Sequence, residues 1–288
     1  MVVLHPHHAL IRPGVVAAVL AVTALTGLTA CGSGATRSAP SGPTTDVPAS
    51  PPVRTVTPVE AVRRGAAFVA PQFGSIDVAS ASLFDYLYRN WAVDGLAGVR
   101  PAIQQRLAGG GLVDDEALLV RLADPTAPVP EVPAGTEPTT AVLAAALHCD
   151  QRPLDAADEE RLQALVAGGG YDTTHAALAV GWSGELGCPV PDGVRDEVVG
   201  RMAAELAAVG AEPLTDLSVE QSAVLSYLGA GDRVPPGWGK RIVDAQRPDG
   251  GWSEGGRPSS WHMTLLAIWT LEALSGPGSG AGIIAGRS

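Results

Sequence analysis

From residue 58 onward, apolar residues recur with helical rather than alternating spacing, and Gly and Pro breaks divide the pattern into about ten segments. The spacing predicts helices over 59–73, 76–91, 116–122, 139–149, 156–166, 173–186, 194–209, 219–228, 238–246 and 260–274. No segment alternates as a half-buried strand does, so the fold class is all-α. Between 95 and 138 a Pro-rich stretch interrupts the pattern and leaves the register open.

The helices fall into pairs. The second members begin near Thr140, His175, Gln221 and His262, at spacings of 35, 46 and 41 residues. Each opens on a polar residue and continues almost wholly apolar, which requires burial on every side. Their partners, such as the segment opening at Asp158 and the one opening at Arg195, carry charge along one face. Inner and outer helices therefore alternate, around a ring or along an open arc. Asp172, Ser218 and Ser259 stand where N-caps belong, and Ser218 with Gln221 has capping-box spacing.

The first 30 residues read as a signal peptide: a cationic start at Arg12, an uncharged apolar run over 13–30, and small residues before Cys31. Leu28-Thr29-Ala30-Cys31 resembles the bacterial lipobox, which implies lipidation of Cys31 and an extracytoplasmic, membrane-anchored protein. Cleavage at a neighbouring small residue with Cys31 incidental is the alternative. Residues 31–58 are rich in Ser, Thr, Pro, Gly and Ala and read as a disordered linker. The globular domain is expected over 59–275, with 276–288 as a flexible tail.

Charge narrows the partners. Thirty acids face 19 bases for a net charge of −11, and Lys240 is the sole lysine, so nothing forms a basic stripe for nucleic-acid phosphates. The two remaining cysteines, Cys149 and Cys188, form an even pair in a chain addressed outside the cytosol, and a disulfide is the economical reading. It would stabilise the fold by roughly 4 kcal/mol on the chain-entropy model. Two buried free thiols remain the alternative.

The segment Gln246-Arg247-Pro248-Asp249-Gly250-Gly251-Trp252 resembles the Gln–Trp repeat of the terpenoid cyclase and protein prenyltransferase α/α toroids, and an inner helix follows it as in that superfamily. Gly169-Gly170-Tyr171 is an echo without the glutamine. The resemblance implies an α/α toroid with a central pore, and a structural role for Gln246 and Trp252 in tying outer helices together. The chemistry of those families does not carry over. No acidic Asp-x-Asp-Asp motif and no Asp-x-Cys occurs, and Asp155, Asp158 and Glu159 open a charged helix whose dipole they complement. His175 and His262 begin helices separated by another inner helix, with neighbouring axes roughly 8–10 Å apart. A zinc ion with bonds of about 2.1 Å would not reach both, so no metal site and no cofactor is expected.

The expected ligand site is the pore mouth where inner helices begin, lined by His175, Gln221 and His262 with Trp261, Trp252 and Asp172. The ligand is an apolar molecule or a glycan, and the domain binds it without catalysis. Two alternatives stay open. One is a working enzyme: a prenyl-transfer or cyclase-like catalyst, or a carbohydrate hydrolase or lyase using His175, His262 and Glu254 with Asp172, Glu220 or Asp85 as a second carboxylate. The other is a scaffold that binds a protein partner.

Overall fold

The computed structural model describes residues 56–110, 112 and 114–286. The expected signal peptide, Cys31 and linker up to residue 55 lie outside them. The described chain is all-α, with helices α1 (Pro58–Val69), α2 (Val78–Trp91), α3 (Val99–Gly109), α4 (Asp114–Leu119), α5 (Pro138–Leu147), α6 (Ala156–Gly168), α7 (Gly170–Glu185), α8 (Val194–Ala208), α9 (Asp216–Tyr227), α10 (Trp238–Asp244) and α11 (Trp261–Ser275). Trp252 and Ser260 form one isolated antiparallel bridge. No helix among the described residues is long and apolar enough to cross a membrane.

Burial divides the helices as the pattern requires. Ten residues of α7, nine of α9 and ten of α11 are buried, whereas α6 buries four and α8 five. Helices apolar on all faces lose water on all faces, which is the main favourable contribution to folding. Neighbour contacts run from α2 to α11, α9, α7, α5 and α4, and from α4 back to α2. Outside this cycle, α1 and α10 lie on α11, α3 on α2, α6 on α5 and α7, and α8 on α7 and α9.

Five features differ from the sequence expectation. Helix α3 occupies the stretch of open register; it buries only Val99 and Ile103, so its apolar stripe is too thin to read. The helix expected over 116–122 starts earlier and ends sooner, as the short α4 (Asp114–Leu119), which takes a place between α5 and α2. The domain begins a little earlier than residue 59: Val56 packs against the core and the Thr57 hydroxyl accepts the Glu60 amide at the start of α1. The caps of three inner helices are Gly169, Thr215 and Ser260 rather than Asp172, Ser218 and Ser259. Ser218 is instead the reciprocal member of a capping box: its amide donates to the Thr215 hydroxyl at 3.1 Å and its hydroxyl accepts the Thr215 amide at 3.0 Å. Lastly, the segment after α11 is packed, not free. Ile283 and Ile284 are fully buried, their amides donate to Glu185 at 2.7 and 3.0 Å, and Arg89 donates to the carbonyls of Gly282 and Ile283.

Cys149 and Cys188 are joined, with Cα atoms 6.0 Å apart, and clamp the end of α5 to the end of α7. The Gln–Trp segment also acts structurally. The Gln246 amide donates to Ala61 O in α1 at 2.7 Å and to Gly250 O at 2.8 Å, while the buried Trp252 indole donates to Ile242 O in α10 at 2.7 Å. The Trp252 ring lies so close to α1 that a Cβ on Gly65 would fall 2.7 Å from it. Gly250 has φ +94° and no room either, since its Cβ would fall 2.7 Å from Arg64 O. The two outer helices α1 and α10 are thereby tied together.

Candidate functional site

Two capped helix starts bring the candidate site together. The Thr215–Ser218 capping box fixes the beginning of α9, so Asp216 is its first residue and Glu220 stands one turn further along the same face. Ser260 caps α11 by accepting the Met263 amide at 3.1 Å, which places His262 in its first turn. Packing of α9 against α11 then sets the three side chains against one another. A donor atom from each of Asp216, Glu220 and His262 lies within 4.8 Å of the others, and all three residues are buried.

Their hydrogen bonds are few and specific. His262 Nδ1 lies 3.0 Å from Asp216 Oδ1, and the Tyr171 hydroxyl donates to Asp216 Oδ2 at 3.2 Å. The Thr174 hydroxyl donates to Glu220 Oε1. Glu220 Oε2 and His262 Nε2 are buried without a hydrogen-bond partner. Buried polar atoms are nearly always paired, so two such atoms in one cluster call for an explanation.

The electrostatics are equally unusual within this molecule. Asp85, Glu116 and Asp158 are also buried, and each faces arginine: Asp85 pairs with Arg89 and Arg100 at 2.8 and 2.9 Å, Glu116 with Arg106 at 2.8 Å, and Asp158 with Arg152 and Arg161 at 3.0 and 2.9 Å. Among the described residues no lysine or arginine forms an ion pair with Asp216 or Glu220. Burial pushes the Glu220 carboxyl up to about 7; His262 and the Thr174 hydroxyl oppose the rise and Asp216 adds to it. For His262, burial disfavours charge, yet the hydrogen bond and charge of Asp216, helped by Glu220 and Asp77, hold its pKa above the ordinary value.

Other residues expected at this mouth have different places. His175 Nδ1 lies 2.7 Å from Tyr171 O, so it steadies the turn that carries Tyr171. Gln221 donates to Glu205 of α8, which also accepts the Gly170 amide, and so ties α9 to its outer neighbour and to the start of α7. Asp172 is exposed. Trp261 is partly buried and sets its ring edge-on to His262, with centroids 5.6 Å apart. Trp252 is fully buried in the Gln–Trp contact and faces no mouth. Glu254 is partly buried and acts on Tyr171 only through its charge, while Asp85, held by two arginines, is not available as a catalytic partner.

The sequence reading overlooked Asp216, Tyr171 and Thr174. Their signal is an acid pair at i, i+4 on a helix that is otherwise buried, since an outward-facing pair would sit among polar neighbours. Compared with known proteins, the chain matches no family model, no curated protein and no solved structure.

Proposed function

We propose that this chain is a lipid-anchored extracytoplasmic binding protein whose domain, a terpenoid-cyclase-like α/α toroid by resemblance, holds a divalent metal ion at Asp216, Glu220 and His262. It binds rather than catalyses: the cluster is closed off in the core, and neither an acidic Asp-x-Asp-Asp nor an Asp-x-Cys motif accompanies it. The observation that carries the reading is the contrast between three buried acids matched by arginines and two that meet only Tyr171, Thr174 and His262.

Two carboxylates in the core with one histidine and, among the described residues, no lysine or arginine beside them are costly, and a divalent ion lowers that cost. One imidazole and two carboxylates suit zinc and its first-row neighbours, with bonds near 2.0–2.2 Å and donors roughly 3.4 Å apart in a tetrahedral site. Small side-chain rotations reach that spacing from the 4.8 Å limit seen here. The Tyr171 hydroxyl, on the outer side of Asp216, orients that carboxylate as outer-shell groups do around bound metals.

The test is native mass spectrometry of the full-length chain, purified in detergent without chelator and titrated with zinc and manganese. One ion per chain, lost in Glu220→Gln and His262→Gln, supports the reading. No specific uptake by the folded chain at micromolar metal overturns it. The same spectra test the anchor: a diacylglycerol mass on Cys31 with residues 1–30 removed is expected, and an unmodified Cys31 overturns that part.

A further inference from the structure

The opposite ends of the inner helices border an open pocket of about 400 Å³, a volume typical of small-molecule sites. Its walls include Tyr86, Trp91, Tyr227 and Trp269. Tyr86 is the hub, with ring centroids 5.8 Å from Trp91, 6.2 Å from Tyr227 and 5.3 Å from Trp269. These pairs and Tyr227–Trp269 meet at 62–88°, so the rings stand across one another instead of stacking flat.

The polar surroundings are one-sided in charge. Helices α2, α7, α9 and α11 end at Trp91, Glu185, Tyr227 and Ser275, so four carboxyl-terminal dipole ends converge here. Glu185 lines the cavity, and among the described residues no lysine or arginine does. Both Glu185 oxygens accept hydrogen bonds, from the Tyr227 hydroxyl and from the amides of Ile283 and Ile284, so its charge is fixed in place. Arg89 approaches from outside but is spent on Asp85 and on the carbonyls of Gly282 and Ile283. The segment 276–282 forms the roof, pinned by Trp91 Nε1 to Gly276 O at 3.2 Å and by Asn90 Nδ2 to Ala281 O at 2.9 Å.

From the four aromatic rings, the fixed carboxylate and the converging helix carboxyl ends, we infer that this cavity is a second binding site, for a small organic ammonium cation. Aromatic faces attract such cations through their quadrupoles, at exposed sites as well as buried ones. A glycan would need several hydrogen-bond donors, but Asn90 gives its amide to Tyr86 O and Ala281 O and the Trp91 indole donates to Gly276 O, which leaves the buried Trp269 indole as an unpartnered donor there. The inference is independent of the metal cluster, which lies at the amino-terminal ends of α9 and α11.

The experiment compares choline with its uncharged isostere 3,3-dimethyl-1-butanol, titrated into the full-length chain in a polyoxyethylene detergent and followed by tryptophan fluorescence and calorimetry. Saturable choline binding at least about 10-fold tighter than that of the isostere is expected, with a further loss of about 10-fold in Trp91→Leu. Trp91 is only partly buried, so an unchanged far-UV circular dichroism spectrum of Trp91→Leu, together with unchanged choline affinity in Lys240→Ala on the exposed side of α10, is the control for folding. Equal affinity for the two probes, tighter binding of glucose or cellobiose than of choline, or no saturable choline signal from the folded chain overturns the proposal.

Discussion

His262 of α11 meets Asp216 of α9 with 3.0 Å between Nδ1 and Oδ1, and its other ring nitrogen stays buried without a partner. That one contact orients the imidazole across the seam between two inner helices. It also points to the first prediction. Zinc at 100 times its dissociation constant should stabilise the wild-type chain by about 2.7 kcal/mol, and His262→Gln or Glu220→Gln should abolish the effect. Without metal, Glu220→Gln is expected to cost little, because burial pushes this carboxyl up to about 7, so its charge is largely given up in the core, and among the described residues no lysine or arginine pairs with it. Thermal unfolding with and without zinc measures both; a metal-free loss above about 2 kcal/mol in Glu220→Gln would contradict the account.

Acid should weaken the fold through His148. The ring is buried, neither nitrogen has a hydrogen-bond partner, and burial, reinforced by the charge of Arg121, lowers its pKa from 6.5 to about 4. The unfolded chain takes up a proton below pH 6.5 that the folded chain refuses until about pH 4. Stability from this residue is therefore constant above pH 6.5 and falls by up to about 3 kcal/mol on the way down to pH 4. Denaturant midpoints across that range should drop in the wild type and drop less in His148→Asn.

Reduction of the Cys149–Cys188 bond opens a loop with a sequence separation of 39. The expected cost is about 4 kcal/mol on the chain-entropy model, equivalent to a fall of roughly 8–16 °C in Tm for a domain of this size. Calorimetry with and without reductant, beside the Cys149→Ser/Cys188→Ser double variant, tests it; coincident transitions would refute it.

Substitutions in the Gln–Trp segment should act on folding and not on ligands. Trp252→Ala removes a fully buried indole and should cost about 3–5 kcal/mol. Gly250→Ala forces a side chain onto Arg64 O at a positive φ and should cost at least about 1–2 kcal/mol. Equilibrium unfolding checks both, and a Trp252→Ala chain of wild-type stability with altered ligand affinity would reverse this assignment.

How far the sequence could be read depends on where each residue's partners lie. Helices buried on every face, such as α7, α9 and α11, announce themselves because burial must be written into nearly every position. Helix α3 does not, since Val99 and Ile103 are its only buried residues and Arg100 and Arg106 hold it through Asp85 and Glu116, and the segment after α11 hides behind Gly, Pro and Ser although Ile283 and Ile284 anchor it. The pairing of Cys149 with Cys188 was legible by elimination. Asp216 was not: an acid in the first turn of a helix looks like a complement to the dipole, and only the approach of α11 from 46 residues away makes it part of a cluster. His175 and Gln221 lie on the helices expected, each five residues beyond the observed start at Gly170 or Asp216, and their side chains turn to Tyr171 O and Glu205.

The clasp between α1 and the Gln–Trp segment sets an order of events as the chain is made. Ala61 receives its bond from Gln246, a residue 185 positions later, and the Trp252 ring that covers Gly65 arrives later still. A chain emerging amino end first must therefore carry the side of α1 around Ala61 and Gly65 uncovered until almost the whole domain has followed it. Contacts so distant in sequence form slowly. Loss of the last two helices would then leave that side of α1 permanently without cover, a surface for chaperones or proteases to recognise, and the domain would be gained or lost as one unit at its final helix.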